Sequence, residues 1–342
     1  MPEKVIFASL EDTFALLPKE RRYALVTDAL VEKWHAKRFY AQLQERGFAV
    51  ELFSLPMGEA CKTRRVKEGL EDALLARGFG RDTTLLALGG GALLDLAGFV
   101  AATYRRGIPL VSLPTTLLAM VDASIGGKRG VNTEEGKNLI GAFYPSSLIV
   151  IDLTLLDTLE PKEWKNGYAE MIKYGVIASK ELFAHLERKD SLCWAMKQCI
   201  AIKQQIVLQD FEEKGLRRML NFGHTVAHAV EKLLSYQIAH GEAVALGLAC
   251  ESYLSARNGL LSSAVHTRIC ALLDSYGFSL RLPPSVSLKA LLKAMAQDKK
   301  AQGARVRFVL LDELGSAASF QGEYCTPVPP HLIEEMYAHF TD

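Results

Sequence analysis

The sequence has no CxxC pair and no tight cysteine cluster; its six cysteines stand apart at 61, 193, 199, 250, 270 and 325. That scatter excludes a disulfide framework and a cysteine-built zinc site, and it fits reduced thiols in a cytoplasmic protein. A charge excess is missing too, with 40 Lys+Arg against 39 Asp+Glu and a formal net charge of +1. Nucleic-acid scaffolds carry a clustered basic surplus, so no nucleic-acid partner is expected. Long apolar runs are absent: the longest, 85–94, is interrupted by three glycines and ends at Asp95. A spanning helix needs roughly 20 apolar residues. The opening MPEKVIFASLEDTF lacks the basic, apolar, small-residue order of a signal peptide, so no membrane partner is expected. No fixed repeat of a solenoid is visible.

What is present is ordinary globular composition, 49% hydrophobic and 23% charged, in 342 residues. At roughly 150 residues per domain, this length predicts two domains. The first 155 residues alternate short apolar runs (4–8, 23–27, 48–53, 84–88, 109–113 and 147–152) with amphipathic stretches such as 30–46 and 63–77. Each of those two stretches is closed by a basic residue and a glycine, Arg46-Gly47 and Arg77-Gly78. Strands alternating with helices imply βαβ units and a mostly parallel sheet. From about Leu156, helix-period segments follow one another (163–177, 180–187, 192–210, 225–234, 242–257, 263–276, 288–297), with strand signal only at 305–311. The expected architecture is an α/β domain over 1–156 with a glycine-rich turn, followed by an all-α domain over 157–342. A cleft between two such halves is a usual place for a small-molecule site.

The run 84–88 leads straight into Gly89-Gly90-Gly91 and then a helical segment beginning Ala92-Leu93-Leu94-Asp95. Glycines at a strand-to-helix turn let backbone N–H groups reach a phosphate, although the same turn also serves close packing, and the spacing is not GxGxxG. The next run ends in Pro114-Thr115-Thr116, whose hydroxyls suit ribose or phosphate, or a simple turn. Asp122, Gly126-Gly127-Lys128 and Lys137-Asn138 follow in a glycine-punctuated stretch that suits an anionic substrate, or else a solvated lysine pair. In the second half Glu170 and Lys173 share a helix face at i, i+3, most simply as an ion pair. His224 and His228 share one at i, i+4, and His240 opens another helix. Two imidazoles and a carboxylate with an open position make a metal site, and spacing alone favours His224 and His228 as its imidazoles.

Taken together, these segments resemble the 3-dehydroquinate synthases, a family of sugar phosphate cyclases. The resemblance runs from about 27 to 300 and rests on GEACKT (58–63), GGGALLDLAGFVAATYRRG (89–107), LPTTLLAMVDASIGGKRGVN (113–132), GKNLIGAFYP (136–145), GYAEMIKYG (167–175) and RRMLNFGHTVAHAVE (217–231) in order. It implies an NAD-binding α/β half, a helical metal-binding half and a homodimer. Matched position by position, it implies NAD on Asp28, Glu59, Lys62, Gly90, Gly91, Asp95, Thr115 and Thr116, with Asp122, Lys128, Lys137 and Asn138 near cofactor and substrate. It implies Glu170, His224 and His240 as ligands of one divalent metal, Zn or Co, and moves His228 to the substrate. The other implied substrate contacts are Arg106, Lys173, Lys203, Arg217, Asn221 and one or both of Lys299 and Lys300. One departure is Leu30, where the family often has Asn two residues past the Asp28 position.

The implied reaction converts the sugar phosphate 3-deoxy-D-arabino-heptulosonate 7-phosphate to 3-dehydroquinate and phosphate. It runs by transient NAD oxidation, phosphate elimination, re-reduction and intramolecular aldol closure, within the shikimate pathway. Rival readings are a metal-dependent polyol dehydrogenase, which would release reduced cofactor, and a cyclase for a sugar phosphate that lacks the carboxylate.

Overall fold

The computed structural model describes residues 3–297 and 306–341. It divides into two compact units, Met1–Trp164 and Lys165–Asp342.

In the first unit, β1 (Val5–Phe7), β2 (Arg22–Asp28), β3 (Ala49–Leu55), β4 (Thr83–Gly89), β5 (Leu110–Pro114) and β8 (Leu148–Ile151) form one parallel sheet in the order β1-β8-β5-β4-β2-β3. All six coincide with the apolar runs, because a strand covered on both faces must be apolar along its length, and every residue of β4 is buried. Between them, α1 (Ala29–Val31) leads into a π-helical turn and then α2 (Lys37–Glu45); α3 (Arg64–Ala76) and α4 (Gly91–Thr103) follow later in the chain. Thr63 caps α3 through Val66 N–H, and Gly47 and Gly78 terminate α2 and α3 at φ +78° and +68°. One core packs Leu85 and Ala87 of β4 and Leu93, Leu94, Ala97 and Val100 of α4 against Phe53, Leu70, Leu74 and Phe79. Full burial of each such Leu or Phe contributes about 1.5–3 kcal/mol. From β2 the chain passes to β3 on one side, and from β4 to β5 on the other. The carboxyl ends of β2 and β4 therefore flank a topological switch point, where open α/β sheets bind ligands.

A separate antiparallel pair, β6 (Lys128–Thr133) and β7 (Gly136–Phe143), occupies the glycine-punctuated stretch, for which no strands were expected from sequence. Its glycines serve contact between the strands: a Cβ on Gly141 would stand 2.0 Å from Arg129 O, and one on Gly130 2.7 Å from Ile140 O.

The second unit is helical: α5 (Pro161–Ala178), α6 (Lys180–Arg188), α7 (Leu192–Gln209), α8 (His224–Leu233), α9 (His240–Arg257), α10 (Ser263–Ser275) and α11 (Leu288–Ala296) match the expected segments. The strand signal at 305–311 falls on β9 (Arg307–Phe308), which pairs with β12 (Thr326–Pro327), and on the start of β10 (Leu311–Glu313), which pairs with β11 (Ser316–Ala317); β11, β12 and α12 (Pro330–Thr341) were not read from sequence. Helix α9 is the core of the unit, packed by α8, α10 and α12. It crosses α8 so closely that a Cβ on Gly247 would stand 1.9 Å from Gly223 O. Among the described residues no helix is long and apolar enough to cross a membrane.

Candidate active site

In the second unit, Glu170 from α5, His224 from the first turn of α8 and His240 from the first turn of α9 bring their ligand atoms within 4.8 Å of one another. Nε2 of His224 and Nε2 of His240 each lie 3.3 Å from Glu170 Oε1. The other ring nitrogens are spoken for: His224 Nδ1 is 3.1 Å from Phe222 O, and His240 Nδ1 is 3.4 Å from Glu231 Oε1. Such outer partners fix which nitrogen faces the centre. Glu170 is 1% exposed, with Oε1 facing the two imidazoles and Oε2 paired with Lys173. The His240 side chain is 31% exposed, so the centre is open on that side. A buried carboxylate facing two imidazole nitrogens is a donor set that suits a divalent cation with an open coordination position.

This arrangement corrects the spacing-based pairing of His224 with His228. The His228 ring lies edge-on to His224 at 5.3 Å between centroids, one turn further along α8, while the second imidazole of the cluster comes from α9.

The positions follow from local structure. Glu251 of α9, fully buried, accepts the N–H groups of Gly223 (2.8 Å), Thr225 (3.0 Å) and Val226 (3.4 Å), so it caps the turn that carries His224. Asn166 Oδ1 accepts Gly241 N–H at 2.7 Å, pinning the start of α9 to α5, and a Cβ on Gly241 would stand 2.6 Å from Asn166 Cα. Charge shapes the protonation states. Burial opposes ionisation of Glu170, but Lys173, ion-paired through Oε2, and His224 hold its pKa well below the usual carboxylate range. Burial lowers His224 to about 4. Burial also works against a charged His240, yet Glu170 and Glu231 outweigh it and raise that imidazole to about 10.

The second unit also buries several cations. Lys173 (2% exposed), Lys203 (6%) and Arg217 (2%) are all withdrawn from solvent. Asp210 shapes the loop before Arg217 by accepting N–H groups from Lys214, Gly215 and Arg217 at 2.7–2.9 Å, and Arg217 Nη1 donates to Phe211 O at 2.6 Å. Asn221 Nδ2 donates to Glu213. Lys299 and Lys300 lie outside the described residues.

In the first unit, Gly90 stands before α4 with no side-chain cap. A Cβ there would meet Thr116 Cγ2 at 3.2 Å, and one on Gly91 would meet Ala123 Cβ at 3.1 Å. Thr115 donates its N–H to Gly89 O, and Thr116 Oγ1 accepts Ala119 N–H. Asp28 ends β2, with Oδ1 accepting the N–H groups of Leu30 and Val31. Lys62, 5% exposed, reaches Asp95 Oδ2 at 2.5 Å. Burial acts to lower that ammonium's pKa, but the charges of Asp95 and Glu59 hold it above the usual lysine value. Asn132 joins this group to the β6–β7 pair: its N–H donates to Lys62 O, Nδ2 to Glu59 Oε1 at 2.6 Å, and Oδ1 accepts Asn138 N–H at 3.1 Å. Asn138 is left-handed at φ +57°. Asp122 sits in the π-helical turn Ala119–Ala123, Lys128 opens β6 and Lys137 lies on β7. Arg106 is not brought to this turn within its own chain. It is exposed beyond the opposite end of α4, a helix about 20 Å long.

Comparison with known proteins bears on both units. A family model described as 3-dehydroquinate synthase N-terminal matches residues 52–166, and one described as 3-dehydroquinate synthase C-terminal matches 167–301. A 3-dehydroquinate synthase of Geotalea uraniireducens is 42% identical over 306 residues, covering 86% of this chain and 85% of that protein. The chain belongs to the 3-dehydroquinate synthase family. Among solved structures, 2-epi-5-epi-valiolone synthase from Streptomyces hygroscopicus, with NAD+ and Zn2+ bound, matches with a TM-score of 0.90 at 28% identity, covering 99% of this chain and 97% of that one. A 2-deoxy-scyllo-inosose synthase complexed with carbaglucose-6-phosphate, NAD+ and Co2+ matches at 0.87 and 25%, covering 98% and 96%.

Glu231, Glu251, Asn166 and Asp210 were not found from sequence. Each acts across the fold or through backbone N–H groups, and a lone acid or amide on a helix carries no local signature of that.

Proposed function

We propose that this enzyme converts 3-deoxy-D-arabino-heptulosonate 7-phosphate to 3-dehydroquinate and phosphate, as a phosphate-eliminating lyase that depends on NAD and one divalent metal. The observation that carries the reading is the buried Glu170 carboxylate facing two imidazole Nε2 atoms, within a helical unit that also withdraws Lys173, Lys203 and Arg217 from water. A substrate bearing both a carboxylate and a phosphate needs several cations held ready. A polyol offers no anion for them to neutralise.

On this reading Glu170, His224 and His240 hold Zn or Co. Asp28, Glu59, Lys62, Gly90, Gly91, Asp95, Thr115 and Thr116 bind NAD, with Asp122, Lys128, Lys137 and Asn138 nearby. Held by these residues, the metal would supply Lewis-acid polarisation of a substrate hydroxyl and NAD would supply reversible hydride transfer. The chain's own residues bind and neutralise. Arg217, held by its hydrogen bonds to the preceding loop, and Lys203, buried on α7, take carboxylate and phosphate charge, and Lys128 is a further cation for the substrate. His228 and Asn221 contact the substrate beside the metal centre. Lys173 keeps Glu170 ionised, which keeps the centre ready for a cation. The reading includes a homodimer in the cytoplasm, supported by the family resemblance.

A substrate panel tests it. Metal-replete protein with NAD should release phosphate from the heptulosonate phosphate at least 100-fold faster than from glucose 6-phosphate or sedoheptulose 7-phosphate, with no NADH from glycerol. Comparable rates on a phosphate lacking the carboxylate would overturn the assignment.

A further inference from the structure

The first unit buries a second pair of charges that binds neither metal nor cofactor in the reading above. Arg129 is 4% exposed and its guanidinium is shared among four acceptors: Nη2 donates to Ser124 O (3.1 Å) and Ser146 Oγ (2.9 Å), Nε to Tyr144 O (3.3 Å) and Nη1 to Leu94 O (3.5 Å). Glu3 is 9% exposed; Oε1 accepts Ser146 N–H at 3.0 Å and Oε2 accepts Gly126 N–H at 2.5 Å. Arg129 Nη2 lies 3.9 Å from Glu3 Oε1. Gly98 of α4 leaves the space for this side chain, since a Cβ there would stand 2.3 Å from Arg129 Cδ.

Burying a guanidinium and a carboxylate together is a poor source of stability, because desolvation offsets the attraction. The pair is better explained by what it fixes. Its partners include Ser124 and Gly126 in the turn 124–127, where Gly126 and Gly127 adopt φ +95° and +65°, and that turn delivers Lys128 to the start of β6. The same guanidinium holds Leu94 O, one residue before Asp95, and Ser124 O, two residues after Asp122. A glycine turn with two left-handed residues has little stiffness of its own. We propose that Glu3 and Arg129 are positioning residues that lock this turn and so place Lys128 for the substrate's phosphate. The inference rests on the role assigned to Lys128 above.

The experiment uses the full chain loaded with NAD and zinc and compares Lys128→Ala, Glu3→Gln, Arg129→Lys and the double variant Glu3→Gln/Arg129→Met. Phosphate-release kinetics, melting temperature and zinc affinity are read for each. Either single change at Glu3 or Arg129 can fail to fold because a buried charge loses its partner, so the double variant, which removes both charges, carries the test. Its melting temperature and zinc affinity should stay near wild type, while its KM for the sugar phosphate rises tenfold or more. Introducing the pair of changes into Lys128→Ala should raise KM no further. Arg129→Lys, which keeps the charge but loses the fork, should give an intermediate KM. If Lys128→Ala itself keeps wild-type kinetics, the reading of Lys128 fails and the proposal with it. If Lys128→Ala is impaired while the double variant keeps wild-type KM, or if the effects simply multiply, the positioning role alone is overturned.

Discussion

Replacing Glu170 by Gln tests the metal centre with little change of shape. In the absence of metal, this carboxylate offsets the charges of Lys173 and His240 in a site where Glu170 and Lys173 are 1% and 3% exposed at the side chain. Removing one member of a buried pair leaves the other uncompensated, at a cost of about 3–5 kcal/mol. For a unit of this size each kcal/mol moves the melting temperature by about 2–4 °C, so chelated Glu170→Gln should melt roughly 6–20 °C below chelated wild type. Zinc at about 1,000 times its dissociation constant adds about 4.1 kcal/mol to wild type, a rise of roughly 8–16 °C, and should add almost nothing to the variant. Differential scanning calorimetry with chelator and with zinc reads both effects. A variant that melts with wild type under chelation would refute the charge argument, and one that gains the same zinc shift would refute the ligand assignment.

Metal binding should release close to one proton at pH 7.5. The metal-free His240 is held protonated by a pKa raised to about 10, whereas His224, lowered to about 4, is already neutral and Glu170 already ionised. Affinity should therefore rise about tenfold per pH unit from 7 towards 10, and titration calorimetry in buffers of different ionisation enthalpy would show zero or two protons if this is wrong. Asp95→Asn should weaken NAD at least tenfold while leaving zinc affinity intact, because it strips the buried Lys62 ammonium of its 2.5 Å partner; unchanged NAD affinity by fluorescence titration would count against the glycine-turn site. Gly247→Ala should destabilise the second unit by several kcal/mol and lower zinc affinity, since the new methyl carbon would stand 1.9 Å from Gly223 O and must drive α8 from α9; a melting curve like wild type would contradict that.

Much of this molecule was legible in its sequence where burial imposes a period. All six sheet strands and the helices α5–α11 show apolar spacing, and Gly47 and Gly78 mark real helix ends. The β6–β7 pair was not legible because Gly130 and Gly141, required for close strand contact, read as turn signals, and β7 buries none of its residues fully. At the site, spacing found His224 but chose its neighbour by helical geometry, whereas the cluster draws on the start of another helix and on a buried glutamate. Spacing left His240 as a third candidate and Glu170 as a simple ion pair, and the family resemblance selected both as ligands. The supports are less visible still: Glu251, Glu231, Glu3 and Arg129 are ordinary charged residues in sequence, and their roles arise from burial against groups up to 143 positions away.

On the proposed reading NAD and metal act catalytically in a phosphate elimination, and one time course distinguishes this from a dehydrogenase. Phosphate release from 3-deoxy-D-arabino-heptulosonate 7-phosphate is followed together with absorbance at the NADH band, before and after chelation and after adding back zinc or cobalt. Many phosphates should be released per enzyme with no net NADH, with activity lost on chelation and recovered with metal. Net NADH accumulating with turnover, or phosphate release indifferent to chelation, would contradict it.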